Sequence, residues 1–575
     1  MNARAANAEL PQLAGPLGEF LSGLADAHKD LVRTTVESLV LAESEGHACV
    51  VLEDALERDA LLRSGVAGIP GQILPLILEG DRVYLRRMFI SEGAVAQALK
   101  ARMAADSLSV DAVQVGAFLR RCGLLGGAGI DWQAVAVVAG LVRPLVVVSG
   151  GPGTGKTRTA AVLVAAIQRF QPSERVALAA PTGKAAARLS ESISSTLATL
   201  GCAPAEPLTA STLHRLLGAS ADGKRFRFGP ANPLPADVVI VDEASMVDLA
   251  MMGRLVAALR PDARLVLLGD KDQLASVEAG YVLGDLCEAA GLNRFTGNFA
   301  SLIEEVTGTR PESAGGAEDT AVELQNNFRF GSGNAIETLS TLVRGGEAAG
   351  SLDALSGFGP NDEVRWEKAH KAAELEEILE RACDHSLLSR WDTAQPGEAL
   401  EARGRFQILC AIKKGPFGRD AVNDAVEQML ETRKLRQRGQ AWYRGRPILI
   451  SANAPQLNLF NGDMGVAWQD EAGVLQVWFA GPDGPRAIPL GRLPSHETAF
   501  AMTVHKSQGS EFDEVVLILP PSDTPVCTRE LVYTGITRAR KRVTLIAGPT
   551  VLKEAVARGS QRTSGLKERL GAPAL

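Results

Sequence analysis

The sequence predicts an α/β protein with two parallel-sheet domains, a mostly helical N-terminal domain and a small inserted β-barrel. Three observations carry this. Short apolar runs alternate with helical stretches on both sides of residue 322, the pattern of parallel sheets crossed by helices. The run at residues 145–148 leads into a glycine-rich loop and then an apolar-periodic helix, a strand–loop–helix unit. Residues 443–493 lose helix signals, and short β-rich runs surround an Asn461-Gly462-Asp463 turn, which reads as the inserted barrel.

At 575 residues the chain is too long for one hydrophobic core, so three or four domains are expected. Hydrophobic residues make up 46% and charged residues 22%, ordinary values for a globular protein. The net charge of −7 excludes a globally basic binder, so any nucleic acid must be met by local basic patches. Apolar stretches such as 145–148 and 515–519 end far short of the ~20 residues of a membrane helix. The opening MNARAANAELPQ has no long apolar segment, so no secretory signal and no membrane partner are expected, and the location is read as cytoplasmic. Seven scattered cysteines without a C-x-x-C pair indicate neither a zinc site nor a disulfide framework.

In residues 1–115, Val32, Val36, Leu39 and Val40 form the stripe of an amphipathic helix, while GHACVVLEDAL reads as a short strand entering a turn and helix. Arg82, Arg86 and Arg87 suit an exposed face or a partner interface better than a DNA strip. The second domain, residues 116–322, opens with Gln133 on a helix; in many ATP-driven motors a glutamine so placed bonds the adenine edge. Gly150, Gly151, Pro152, Gly153, Thr154, Gly155, Lys156, Thr157 and Arg158 follow with the G-x-x-x-x-G-K-T spacing of a phosphate-binding loop. Its glycines let backbone N–H groups turn toward phosphate oxygens, and the helix dipole adds positive potential. Lys156 is expected at the β/γ-phosphates and Thr157 on Mg²⁺.

The next strand, 176–180, delivers Thr182 and Lys184 at its carboxyl end, the ligand-binding edge of an open α/β sheet. Thr212 and His214 close a loop farther on. Arg225, Phe226, Arg227 and Phe228 alternate with a period of two within a predicted hairpin at about 221–236. That alternation suits single-stranded nucleic acid, with bases on the aromatics and arginines on phosphate; a hairpin packed by its apolar face fits it equally. The run 238–241 then places Asp242 and Glu243 at a strand end, Asp242 for the Mg²⁺ shell and Glu243 for the attacking water. Gln273 follows another strand and is placed to sense the γ-phosphate. Residues 291–320 lose periodicity and predict a mobile insertion.

Residues 323–575 carry strands at 406–410, 515–519 and 543–547, with the barrel inserted at about 436–495. Arg329 and Arg538 belong to this second sheet, the position from which a closing domain supplies charge to a transferring phosphoryl. Thr503, His505, Lys506, Gln508 and Glu511 lie between a strand and the next apolar run.

Taken in order, SGGPGTGKT, APTGKAAARL, STLHRLLG, VIVDEASMVD, LLGDKDQLASVEAG, NNFRF, FNGDMG, TVHKSQGSEF and VYTGITRA resemble the superfamily-1 helicases, and within them the RecD family, alpha subunits of bacterial exodeoxyribonuclease V. The resemblance spans nearly the whole chain. It implies two RecA-like domains, an SH3-like barrel, ATP with Mg²⁺ in the cleft, 5′→3′ movement on single-stranded DNA, and assembly with RecB and RecC, the nuclease residing in RecB. It implies DNA contacts at Thr182, Lys184, Thr212, His214, Thr503, His505 and Lys506, a strand-separating pin carrying Arg225 and Phe226, and a ribose contact at Glu511. Phe328 departs from the tyrosine usual in relatives. A stand-alone helicase of the same superfamily is the alternative.

Overall fold

The computed structural model describes residues 11–127, 129–202, 208–220, 225–314, 319–331, 333–359, 361–386, 395–481, 484–560 and 562–571. The predicted stripe Val32, Val36, Leu39 and Val40 is buried on the helix Lys29–Ser44. The N-terminal unit is less purely helical than expected. The strands Val50–Val51, Arg82–Leu85, Leu76–Glu79 and Ala67–Gly68 form a four-stranded sheet beside its helices.

Six parallel strands form the first large sheet, in the order Ala321–Glu323, Leu145–Ser149, Arg264–Gly269, Val238–Val241, Val176–Ala180 and Ser211–Thr212. Both faces are covered, which is why its strands read as continuous apolar runs. Leu145 and Val147 join a core shared with the N-terminal unit, whereas Val146 and Val148 face the helices Trp132–Val142, Lys156–Phe170 and Gly183–Thr199. The second sheet has five parallel strands, Val364–Glu367, Ala539–Ile546, Phe512–Ile518, Phe406–Cys410 and Ala501–Thr503. It splits in the same way: Val515 and Leu517 pack on one face, Val516 and Ile518 on the other.

Three further expectations are corrected. The insertion is an open five-stranded antiparallel sheet, ordered Arg486–Pro489, Leu475–Phe479, Met464–Gln469, Pro447–Ile450 and His496–Thr498; among the described residues its edges do not pair, so no closed barrel forms. Both faces are used: Ala467, Val477 and Ile448 fill one core, and Val466 and Trp468 pack with Ala399 of the helix Pro396–Arg405.

Second, residues 291–320 contain the helix Gly297–Thr307, capped by the Thr296 hydroxyl, with Phe299, Ile303 and Val306 in the first sheet's core. Third, the predicted hairpin shows bridges Ala219–Phe226 and Gly229–Asn232 rather than strands, residues 221–224 lying outside the described set. The Arg/Phe alternation turns Arg225 and Arg227 outward and packs Phe226 and Phe228 on the protein. Phe226 offers its ring to the Arg254 guanidinium, 4.3 Å from the centroid, and is not an open stacking platform.

Packing is continuous near the expected domain limits. The helix Ala112–Arg121 spans the expected break at 115 and packs against Gly297–Thr307 of the first sheet domain, and the strand Ala321–Glu323 completes the first sheet. The C-terminal segment returns to the start of the chain. The Ala48 N–H donates to the Thr563 carbonyl (2.8 Å), the Gly565 N–H donates to Glu92 (3.1 Å), and Leu566 and Leu570 enter the N-terminal core. No helix among the described residues is long and apolar enough to cross a membrane.

Candidate nucleotide cleft and DNA-facing edge

The loop after the strand Leu145–Ser149 turns through Gly153 (φ +86°) and Gly155 (φ +87°), left-handed conformations that favour glycine. Space is tight as well, so that a side chain at either glycine would force a neighbour to move. A Cβ on Gly155 would fall 2.1 Å from Gln133 Nε2, and one on Gly153 would fall 2.5 Å from the Arg329 Cβ. The loop is thus held from beneath by the first domain and from above by the segment 327–329, whose Phe328 N–H donates to the Gly153 carbonyl (2.8 Å). The Lys156 ammonium donates to the carbonyls of Gly150 and Gly151, curling back over the loop it terminates.

Pro152, Gly153, Gly155, Lys156, Thr157, Arg158, Asp242, Glu243, Gln273, Arg329, Glu511 and Arg538 line one cavity of ≈ 390 Å³ between the two sheets. Gly151 and Thr154 face a separate polar cavity behind the loop. Gln133, 4% exposed, does not line the cleft: its amide donates to the Thr154 carbonyl (3.0 Å), and its Oε1 is buried without a hydrogen-bond partner.

Electrostatics sort the cleft. Burial pushes the Asp242 carboxyl up to about 6; Glu243 beside it adds to the shift and Lys156 opposes it. Two adjacent acids on a buried strand end are short of positive charge, which a divalent ion with the Thr157 hydroxyl would supply. Glu511 is the opposite case. Burial would raise it, but Arg329, Arg188 and Arg538 outweigh burial and bring it to about 2. It pairs with Arg329, with Arg188 (3.3 Å) and with Arg540 (3.2 Å), so it gathers arginines at the cleft wall. Arg538 is buried, donating to the carbonyls of Thr534 and Ser510, both at 3.2 Å. Gln273 donates to Asp270 (2.9 Å), which also accepts from the Tyr533 hydroxyl of the second sheet domain (3.0 Å).

The DNA candidates gather at carboxyl ends of strands. Thr182 caps the helix Gly183–Thr199, and Thr212, paired in register with Ala180, caps the turn that carries exposed His214. Thr503 ends a strand of the second sheet, and Lys506 pairs with Glu497 on the inserted sheet. His505 is mostly buried, its imidazole held below the usual range by burial and by nearby Arg562. Burial and Arg188 depress the Lys184 ammonium to about 8, with Asp463 of the insertion opposing; a Cβ on the adjoining Gly183 would meet Phe460 of the insertion at 3.0 Å.

Sequence reasoning noted Phe328 only for its missing hydroxyl and did not single out Arg188. Phe328, 64% exposed, lines the cleft with Arg158, an open aromatic face suited to a base. Arg188 also lines it; its spacing of four residues from Lys184 on one helix was the available signal.

A phosphate loop, a strand-end acid pair and arginines from a second parallel sheet define the class: an ATPase whose nucleotide cleft is walled by two α/β domains. The chain matches the AAA domain family over residues 133–279 and the UvrD-like helicase C-terminal domain family over residues 498–546. It is 38% identical to the RecBCD enzyme subunit RecD of Mycolicibacterium smegmatis over 584 residues, 96% of each chain. It is 36% identical to the subunit of the same name from Haemophilus influenzae, covering 76% of this chain and 72% of that one. A Bacteroides Pif1 structure bound to single-stranded DNA aligns at 16% identity with a TM-score of 0.37, over 71% of this chain and 90% of that one. The chain belongs to the RecD family.

Proposed function

We propose that this chain is an ATP-dependent 5′→3′ DNA helicase and translocase, the RecD-type motor of an exodeoxyribonuclease V. It would assemble with RecB and RecC and act in double-strand break repair and recombination. The observation that carries the reading is one cavity lined by Lys156, Thr157, Asp242 and Glu243 from the first sheet domain and by Arg329, Glu511 and Arg538 from the second.

Lys156 binds the β/γ-phosphates, and Glu243 orients and deprotonates the attacking water. Thr157 and Asp242 would hold Mg²⁺, which when bound neutralises charge between the phosphates. Arg329 and Arg538 stabilise the transferring phosphoryl from the opposite wall, a role worth roughly 10³–10⁵ in rate in phosphate-loop enzymes. Phe328 offers an exposed face for the adenine ring, while Gln133, buried beneath the loop, holds its Thr154 carbonyl. Because the two walls belong to different sheets, ATP draws the RecA-like domains together and hydrolysis releases them, while Thr182, Lys184 and Lys506 alternate grip on phosphates of the strand. The open five-stranded insertion is the counterpart of the SH3-like module in this reading. Lys156→Gln should abolish single-strand-stimulated ATP hydrolysis; hydrolysis at the wild-type rate would sink the proposal.

A further inference from the structure

The helix Gly183–Thr199 connects two places that the motor must keep in step. Its first turn carries Thr182 and Lys184 at the DNA-facing edge, and one turn later Arg188 enters the nucleotide cleft. There Arg188 crosses to the second sheet domain: Nη1 donates to the Gly509 carbonyl (2.6 Å) and Nη2 to Glu511 Oε2 (3.3 Å). A Cβ on Gly509 would meet the Ala185 Cβ at 3.6 Å, so the loop backbone rests on this same helix face.

The loop is gripped elsewhere too. The Gln508 amide donates to the Leu274 carbonyl (2.7 Å), and Arg538 donates to the Ser510 carbonyl. The turn Val504–Ser507 just before it carries His505 and Lys506, the second domain's own DNA candidates. One arginine therefore joins the two segments that would contact DNA, and it does so at the wall of the cleft.

Glu511 makes that link consequential. Its carboxylate accepts from Arg188, Arg329 and Arg540 at once, its lone pairs being enough for all three. Arg188 and Arg540 meet at Oε2 while Arg329, the arginine expected on the γ-phosphate, holds Oε1, so one carboxylate ties the position of Arg188 to that of Arg329. A strand that drew on Lys184 would act on the helix that carries Arg188, and through Arg188 on the 509–511 loop.

We propose that Arg188 is a positioning residue that couples DNA occupancy at Thr182 and Lys184 to closure of the ATP cleft, by holding the Gly509 carbonyl and sharing Glu511 with Arg329. This rests on the motor reading above.

The test uses the chain co-purified with its partner subunits and measures single-stranded DNA affinity with and without a non-hydrolysable ATP analogue. The ratio of the two is the coupling factor, and linkage requires the same factor for analogue affinity with and without DNA. In wild type it is expected at about 5–150-fold. Arg188→Met should bring it to within about 2-fold of unity while DNA affinity without nucleotide stays within about 2-fold of wild type. Arg188→Lys, a single point donor, should restore part of it.

Wild-type coupling in Arg188→Met overturns the inference alone. So does a loss of analogue affinity that is equal with and without DNA, since that marks a direct phosphate contact. A wild-type complex without coupling, or one that binds neither ligand, overturns the motor reading itself.

Discussion

Gly155→Ala concentrates several parts of the account in one methyl group. At φ +87° an alanine pays about 1–2 kcal/mol for the left-handed conformation. Its Cβ would also lie 2.1 Å from Gln133 Nε2, closer than any real contact, so Gln133 must leave the Thr154 carbonyl. Losing that bond and stranding a buried amide costs a further ~1–3 kcal/mol. The sum, about 2–5 kcal/mol, is an upper bound, because the loop can relieve part of it by moving.

That movement is what function registers. A displacement of about 1 Å in a loop that must place the γ-phosphate against Glu243 costs on the order of 10²-fold in turnover. The assay is single-strand-stimulated ATP hydrolysis, run beside a thermal melt and with Gly297→Ala as control. A Cβ at Gly297 meets nothing within 4 Å, so that variant should match wild type. Gly155→Ala within about 3-fold of wild-type kcat/KM and with an unchanged melt would refute the argument that the loop is held by Gln133.

Two further predictions concern stability. Phe299→Ala should cost about 3–5 kcal/mol and lower the melting temperature, because Phe299 is buried in the first sheet's core; an unchanged melt would return residues 291–320 to the status of a loose insertion. Burial pushes Asp285 up from 3.8 to about 7, with Glu92 and Glu288 adding and its Ser564 bond opposing. The folded chain therefore keeps a proton between those values that the unfolded chain releases, and stability falls as pH rises through that window, then levels off. Asp285→Asn should flatten part of that fall and raise the melting temperature at pH 8, read by melts across pH; Glu92, also raised by burial, leaves a residual slope.

The central strands and the phosphate loop were legible because their chemistry is local. A fully covered parallel strand must be apolar on both faces, and a phosphate loop must have its glycines where φ is positive. Lys156, Thr157, Asp242 and Glu243 could be placed from strand ends alone. The arginines from the second domain needed the order of the whole chain, since an arginine on a helix is ordinarily solvated.

What stayed hidden depends on contacts distant in sequence. The helix Gly297–Thr307 has only four buried positions amid glycine and threonine, too few to outweigh its surroundings in a periodicity reading. Short edge strands such as Ala501–Thr503 and Val364–Glu367 exist through their sheet partners. The inserted strands alternate as a barrel's would, and whether the edge strands pair is a matter of strand order that alternation does not carry. The return of residues 562–571 to the N-terminal core, and Glu511 as the point where three arginines meet, are likewise tertiary facts.

The most direct test is strand displacement on 5′-tailed and 3′-tailed duplexes, with the isolated chain and with the chain co-purified with its partners, each beside its Lys156→Gln counterpart. The account predicts ATP-dependent displacement of the 5′-tailed duplex that Lys156→Gln removes; the isolated chain's share of that activity separates a subunit from a stand-alone helicase. Displacement confined to the 3′-tailed duplex, or 5′-tailed displacement untouched by Lys156→Gln in both preparations, would contradict it.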